Sequence, residues 1–280
     1  MKINRMDITI DLWENTRVSG HALLTPFVAP DGSGRSCIVC PGGSYFWLDR
    51  VNEGRMVAEW LQHNGVTAFL LEYRTAGVPA FMTRFRLGGH IARARRSMQD
   101  VFMALNYVKV NAQRWHIDPS RIGVLGFSAG GHIALMAAEK DGRKILSDIG
   151  IDVSQDLTPA FAGAIYPVVS FVDKCTHERS RRGLIGDFNG HHDALRRSLS
   201  AELNVRPDMP PVFLVSCDDD RGVDPRNSHL LSEAMTRAGA RCDYHRYSTG
   251  GHGFGANDTL TTPTAATWKP AFLHFLTTLM

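Results

Sequence analysis

The chain has 280 residues, 44% of them apolar and 21% charged, with 31 basic side chains against 28 acidic ones and a formal charge of +3. This composition excludes a disordered chain, a collagen and a coiled coil, and so small a net charge gives no sign of nucleic acid as the main partner. A chain this long buries roughly 75% of the surface its unfolded form exposes and needs no staples, and no apolar run approaches the roughly 18–20 residues that span a bilayer.

Residues 6–13 alternate as a strand does, with Ile8 and Ile10 on one face, and residues 20–29 supply a hairpin partner. Residues 35–40 are a short run rich in β-formers that stops at Pro41-Gly42-Gly43. A helical stretch follows in which Val57, Trp60 and Leu61 share a face and Gly65 caps the end. Residues 66–73 are continuously apolar, as in a strand buried on both faces. Ile91, Ala94, Met98, Val101, Phe102, Leu105 and Val108 recur every three or four residues and predict a long helix. After the break at Asp118-Pro119, strands are predicted at 122–127, 161–169, 212–217 and 242–247. Helices are predicted at 130–140, at 230–238 with Gly239 closing it, and at 265–279. Strands alternating with helices predict an α/β fold with a mostly parallel sheet, its first strands in an antiparallel hairpin. No repeat, low-complexity tract or linker divides the chain, so residues 1–280 read as a single domain.

Five cysteines (Cys37, Cys40, Cys175, Cys217 and Cys242) in a chain that does not require disulfides point to a reducing compartment. Residues 1–11 lack the apolar core of a signal peptide, so the expected location is cytoplasmic. Cys37-Ile-Val-Cys40 has redox or metal spacing, but it lies inside a predicted strand and not at a helix start that would lower a thiol pKa. His191-His192-Asp193 reads as a solvated loop for want of a second ligand cluster. Arg84, Arg86, Arg93, Arg95 and Arg96 fall in a stretch with no acidic residue; it reads as a solvated face, or as a contact with an acidic sugar or a partner subunit.

The chemistry is concentrated at Gly126-Phe127-Ser128-Ala129-Gly130, the G-x-S-x-G pattern of a nucleophile elbow, with a predicted strand before it and a helix after it. A serine hydroxyl needs a base, and the base an orienting acid, in the chain order Ser, Asp or Glu, His. Asp218-Asp219-Asp220 follows one predicted strand, and Gly250-Gly251-His252-Gly253 follows another. Reactive groups in open α/β sheets gather beyond the carboxyl ends of the strands, so Ser128, His252 and one of the three carboxylates are expected on one edge. Three consecutive carboxylates cannot all face one imidazole. An oxyanion hole needs backbone N–H donors. One is expected from Ala129 and another from the glycine-rich loop 41–45.

These blocks, "CPGGSY", "VTAFLLEYR", "IDPSRIGVLGFSAGGHIA", "YPVVSF", "RSRRGLIGD", "PPVFLVSCDDDRGVDPRNS" and "GGHGFG", follow one another along nearly the whole chain. In that order they resemble the α/β-hydrolase superfamily, and within it the carboxylesterases and carbohydrate acetyl esterases related to acetyl xylan esterase. The resemblance implies the α/β-hydrolase fold, with a mostly parallel sheet of about eight strands flanked by helices and a small cap or none. It implies Ser128 as nucleophile, His252 as base, Asp220 as acid with Asp219 as the alternative, and oxyanion donors from Ala129 and from Gly43 or Ser44. Two residues depart from the family pattern: Ser44 stands where a third glycine is common, and Asp224 where a proline usually follows Val223. The mechanism implied needs no metal or cofactor. The segment 172–210, where a cap would sit, is short and carries Arg179, Arg181, Arg182, Arg196 and Arg197. That suits a small acyl group on a polar alcohol, such as an acetylated sugar. The alternatives are a short-chain carboxylesterase or aryl-amide hydrolase acting on a metabolite, and a non-catalytic relative that binds a ligand. The expected partner is a small-molecule ester, without nucleic acid or membrane; a homo-oligomer is left open.

Overall fold

The computed structural model describes residues 8–30, 32–83, 91–186 and 192–279. One sheet runs through them, built from β1 (Ile10–Asp11), β2 (Leu23–Phe27), β3 (Ser36–Cys40), β4 (Thr67–Glu72), β5 (Ile122–Phe127), β6 (Ala162–Ile165), β7 (Val212–Cys217) and β8 (Cys242–Tyr247). The spatial order is β1-β2-β4-β3-β5-β6-β7-β8. β1 and β2 form the expected antiparallel hairpin, β2 pairs antiparallel with β4, and every pairing from β4 to β8 is parallel.

The helices are α1 (Met56–His63, entered through a π-turn at Val51–Arg55), α2 (Gly77–Met82), α3 (Ile91–Val110), α4 (Ala129–Glu139), α5 (Gly142–Ser147), α6 (Glu178–Ile185), α7 (Asp193–Leu199), α8 (Arg226–Ala238), α9 (Pro263–Ala266) and α10 (Trp268–Thr277). They cover both faces of the sheet, because the period of two along each strand sends alternate side chains to opposite layers. On β3, Cys37 and Val39 join the layer formed with α1 and α10, while Ile38 and Cys40 join the layer formed with α3, α4 and α8. Parallel strands buried on both faces carry apolar residues at every position; β3 and β5 are buried throughout.

Several boundaries differ from the sequence reading. The predicted strand 6–13 contributes only β1; residues 1–7 lie outside the described residues, and Ile8 is exposed. The strand predicted over 161–169 ends at Ile165, since Tyr166 takes a φ of 39° and turns the chain out of the sheet. The last helix breaks at Thr267 into α9 and α10. The segment 172–210, where a cap would sit, holds α6 and α7. Arg84, Arg86 and His191 lie outside the described residues, while Arg93, Arg95 and Arg96 fall on the first turns of α3. Among the described residues no helix is long and apolar enough to cross a membrane.

Candidate active site

Because β3, β5, β7 and β8 are parallel, the loops that follow them meet at one edge of the sheet. The turn after β5 is the sharpest. A Cβ on Gly126 would stand 2.0 Å from the Gly130 carbonyl oxygen, and one on Gly130 would stand 2.0 Å from that of Cys40. Only glycine lets strand, turn and helix approach this closely. Ser128 sits between them at φ 52° and ψ −117°, at the N-terminus of α4. That strained conformation is held by a bond from its own N–H to the Ile165 carbonyl and by the N–H of Val168 on its carbonyl.

The structure brings Ser128, His252 and Asp220 together. Ser128 Oγ lies 3.0 Å from His252 Nε2, and His252 Nδ1 lies 2.7 Å from Asp220 Oδ2. Asp220 Oδ1 accepts the N–H groups of Gly222 and Val223 at 2.7 and 2.9 Å, which locks the carboxylate in place. With Nδ1–H donating to Asp220, Nε2 is left as the acceptor for the serine hydroxyl. Gly222 leaves room for the ring; a Cβ there would lie 2.7 Å from His252 Cγ.

The other two carboxylates of the triplet go elsewhere. Asp219 Oδ1 accepts the N–H groups of Gly250 and Gly251, both at 2.9 Å, and so anchors the loop that carries His252. Asp218 pairs with Arg246 at 2.6 Å. Asp224, in the position usually held by proline, accepts the Arg226 N–H just before α8.

The loop after β3 packs on the elbow: a Cβ on Gly42 would lie 2.8 Å from Ser128 Cβ. Gly43, Ser44 and Tyr45 have φ values of 138°, 55° and 64° in succession, curling the backbone back on itself. A side chain at Gly43 would strike the Trp47 carbonyl. Among the described residues no acceptor takes the N–H of Gly43, Ser44 or Ala129. The Ser44 hydroxyl accepts a hydrogen bond from Arg179 Nε at 3.0 Å. Tyr45 is tied to α4, its hydroxyl lying 2.5 Å from His132 Nδ1 while His132 Nε2 lies 2.7 Å from the Leu199 carbonyl. Nε2–H therefore donates to the carbonyl and Nδ1 accepts from the tyrosine. Burial pushes His132 down to about 4 and keeps it neutral.

The sequence reading missed two groups beneath the site. Glu53, on the π-turn, accepts the Gly42 N–H at 2.7 Å and the Tyr166 O–H at 3.0 Å. Tyr166 Oη in turn accepts the Gly255 N–H at 2.8 Å, and its ring centroid lies 4.6 Å from that of His252. Burial pushes the Glu53 carboxyl up to about 7, against the opposing pull of His252 and of its own hydrogen bonds. Neither was legible: the predicted strand runs through Tyr166 to residue 169, and nothing local marks Glu53, whose partner Tyr166 lies 113 residues away.

The chain is similar to known proteins along most of its length. The chain is 29% identical over 243 residues to an acetylxylan esterase of Xylanibacter ruminicola, covering 86% of this chain and 45% of that protein. It is 26% identical to endo-1,4-beta-xylanase B of Butyrivibrio fibrisolvens, covering 84% of this chain and 35% of that one. The chain thus spans less than half the length of these two curated relatives. Among solved structures, an acetyl ester-xyloside bifunctional hydrolase from Caldicellulosiruptor lactoaceticus superposes with a TM-score of 0.80 at 28% identity, covering 98% of this chain and 96% of that one. The carboxylesterase Cest-2923 of Lactobacillus plantarum, at 21% identity and a TM-score of 0.75 over 97% of this chain and 96% of its own, shares the fold. The BD-FAE family model matches residues 37–235, most of the chain and all of the elbow, and the protein belongs to that family of α/β-hydrolase fold.

Proposed function

We propose that the protein is a serine hydrolase of carboxylic esters that removes acetyl groups from a carbohydrate. The observation that carries the reading is the hydrogen-bonded chain Ser128–His252–Asp220 at the carboxyl edge of the sheet. Ser128 Oγ attacks the ester carbonyl as His252 Nε2 takes its proton, and Asp220 holds the imidazole and stabilises its charged form. The open N–H groups of Ala129 and of Gly43 or Ser44 receive the oxyanion, where one such donor is worth about 3–4 kcal/mol. His252 then protonates the leaving alcohol and activates the water that frees the acetate. Every step uses side chains and backbone of this chain, so the cycle requires no cofactor. The acetylated-sugar substrate is supported by the short, arginine-bearing α6 packed on the oxyanion turn and by the acetylxylan esterase relative.

The test is hydrolysis of p-nitrophenyl acetate and butyrate, then release of acetate from an acetylated xylo-oligosaccharide. The wild type should prefer acetate, and Ser128→Ala should abolish turnover; activity surviving in that variant would sink the assignment. Asp220→Asn should lower kcat by about 10³–10⁴-fold, because an amide selects the wrong imidazole tautomer. Asp219→Asn keeps a carbonyl oxygen for the two glycine N–H groups and should stay within about tenfold of wild type. The reverse order would make Asp219 the acid.

A further inference from the structure

The segment leading into α6 forms one wall of the site. A Cβ on Gly183 would lie 2.1 Å from the Ser44 carbonyl oxygen, so α6 is pressed directly on the oxyanion turn. Two acidic residues of this wall are already neutralised. Asp173 pairs with Arg226 at 2.9 Å, and Glu178 with Arg181 at 2.5 Å. Arg179 differs from them. Its Nε donates to the buried hydroxyl of Ser44, and its guanidinium stands 5.8 Å from the ring centroid of Trp47, which is itself 38% exposed. No carboxylate among the described residues pairs with it. Four of its five N–H donors remain beyond the bond to Ser44. His177, two residues earlier, lies within electrostatic reach of both His252 and Asp220, so this stretch flanks the reacting groups. Its Nδ1 is taken by Ser180 Oγ at 2.7 Å, and it is neutral, while Arg182 of the same helix lies over the Phe46 and Phe81 rings.

We propose that Arg179 and Trp47 form an anion-accepting subsite beside the oxyanion turn, which selects esters whose sugar carries a carboxylate, as a uronic acid does. Ser44 fixes the guanidinium on one side and the indole face supports it on the other. The planar fork is then oriented before substrate arrives, the condition under which arginine recognises carboxylate well. The exposed indole also offers a flat apolar surface to a sugar ring. A glycine at position 44 would leave the guanidinium without this anchor, which gives the departure from the common family residue a physical role. The inference rests on the esterase reading above.

The experiment compares acetylated methyl glucuronoside with acetylated methyl xyloside, using wild type and Arg179→Gln. A second arm titrates glucuronate and xylose into Ser128→Ala protein with and without Arg179→Gln. The wild type should show a KM about tenfold lower for the acidic ester, a preference that shrinks with added salt. Arg179→Gln should bring the two KM values within about twofold of each other, and glucuronate binding should weaken about tenfold in the titration. An equal loss on both esters, or glucuronate binding indifferent to Arg179, would reduce the residue to a prop for Ser44 and overturn the proposal. Absence of p-nitrophenyl acetate turnover by wild type would instead overturn the esterase reading, and the titration would still decide the subsite.

Discussion

Glu53 links the two loops that the proposed chemistry depends on. One carboxylate oxygen holds Gly42 beside the oxyanion turn; the other holds Tyr166, which holds Gly255 just past His252. The backbone beside it adds a further tie, since the Asn52 carbonyl accepts the Ala256 N–H. Burial makes this carboxyl cling to its proton, from an ordinary value of 4.5 up to about 7. An acid whose folded pKa is raised binds more protons folded than unfolded between those two values, so its contribution to stability is full below pH 4.5 and is lost as pH rises to 7. The loss is on the order of 3 kcal/mol. Glu53→Gln has no such proton. Urea unfolding at pH 4.5 and pH 8 should show the variant gaining on wild type by that order as pH rises. A difference that stays flat with pH would mean that Glu53 is not the buried acid described here.

At the level of elements, the segment leaving β6 is held by Asn227 in the first turn of α8. Its Oδ1 accepts the N–H groups of Val169 and Ser170 at 2.9 and 3.0 Å, and its Nδ2 donates to the carbonyls of Cys175 and Asp224 at 3.0 Å each. Asn227→Ala would leave three buried backbone groups, the N–H groups of Val169 and Ser170 and the Cys175 carbonyl, without a partner, while the Asp224 carbonyl keeps the Asn227 N–H; it should cost at least about 3 kcal/mol in chemical unfolding, and a cost below about 1 kcal/mol would sink this reading. The same segment explains where the sequence misleads. Val168, Val169 and Phe171 are as buried as strand residues, so hydrophobicity carries the predicted strand past Ile165, where the backbone has already left the sheet. β3, β5 and β7 were legible because burial on both faces leaves short apolar runs bounded by turn residues. α2, α5 and α7 were not, since six or seven residues are too few to display a helical period. The Ser128 and His252 positions could be read because each follows a strand within a glycine-marked motif, whereas Asp220 was singled out of its triplet only by the family resemblance. Glu53 and Arg179 act through partners 113 and 135 residues away, and nothing local encodes such contacts.

The whole molecule is two apolar layers separated by one sheet, and its cysteines report on both. Cys37 and Cys40 look like a redox pair in the sequence, yet an offset of three along a strand sends them to opposite faces. Cys37 lies in the layer with α1 and α10, and Cys40 in the layer with α3 and α4. The sheet itself stands between them, so no disulfide can close while β3 is paired. All five thiols are free, and burial pushes each pKa up, to about 12 for Cys175, Cys217 and Cys242 and higher still for Cys37 and Cys40. The thiolate is the reactive form, so the native protein should resist thiol reagents for two reasons, access and protonation. Cys242, on the half-buried edge strand β8, should be labelled first, through local opening. Cys37, Cys40 and Cys217 should be labelled only at the rate of global unfolding, because reaching them requires both layers to separate from the sheet. Labelling with Ellman's reagent at pH 8, mapped by mass spectrometry beside an unfolding rate measured by fluorescence, checks the order. Dithiothreitol should leave Tm unchanged. Modification of Cys37 ahead of unfolding would show that the α1–α10 layer opens independently of the rest, and a Tm lowered by the reductant would mean that a disulfide contributes where this geometry allows none.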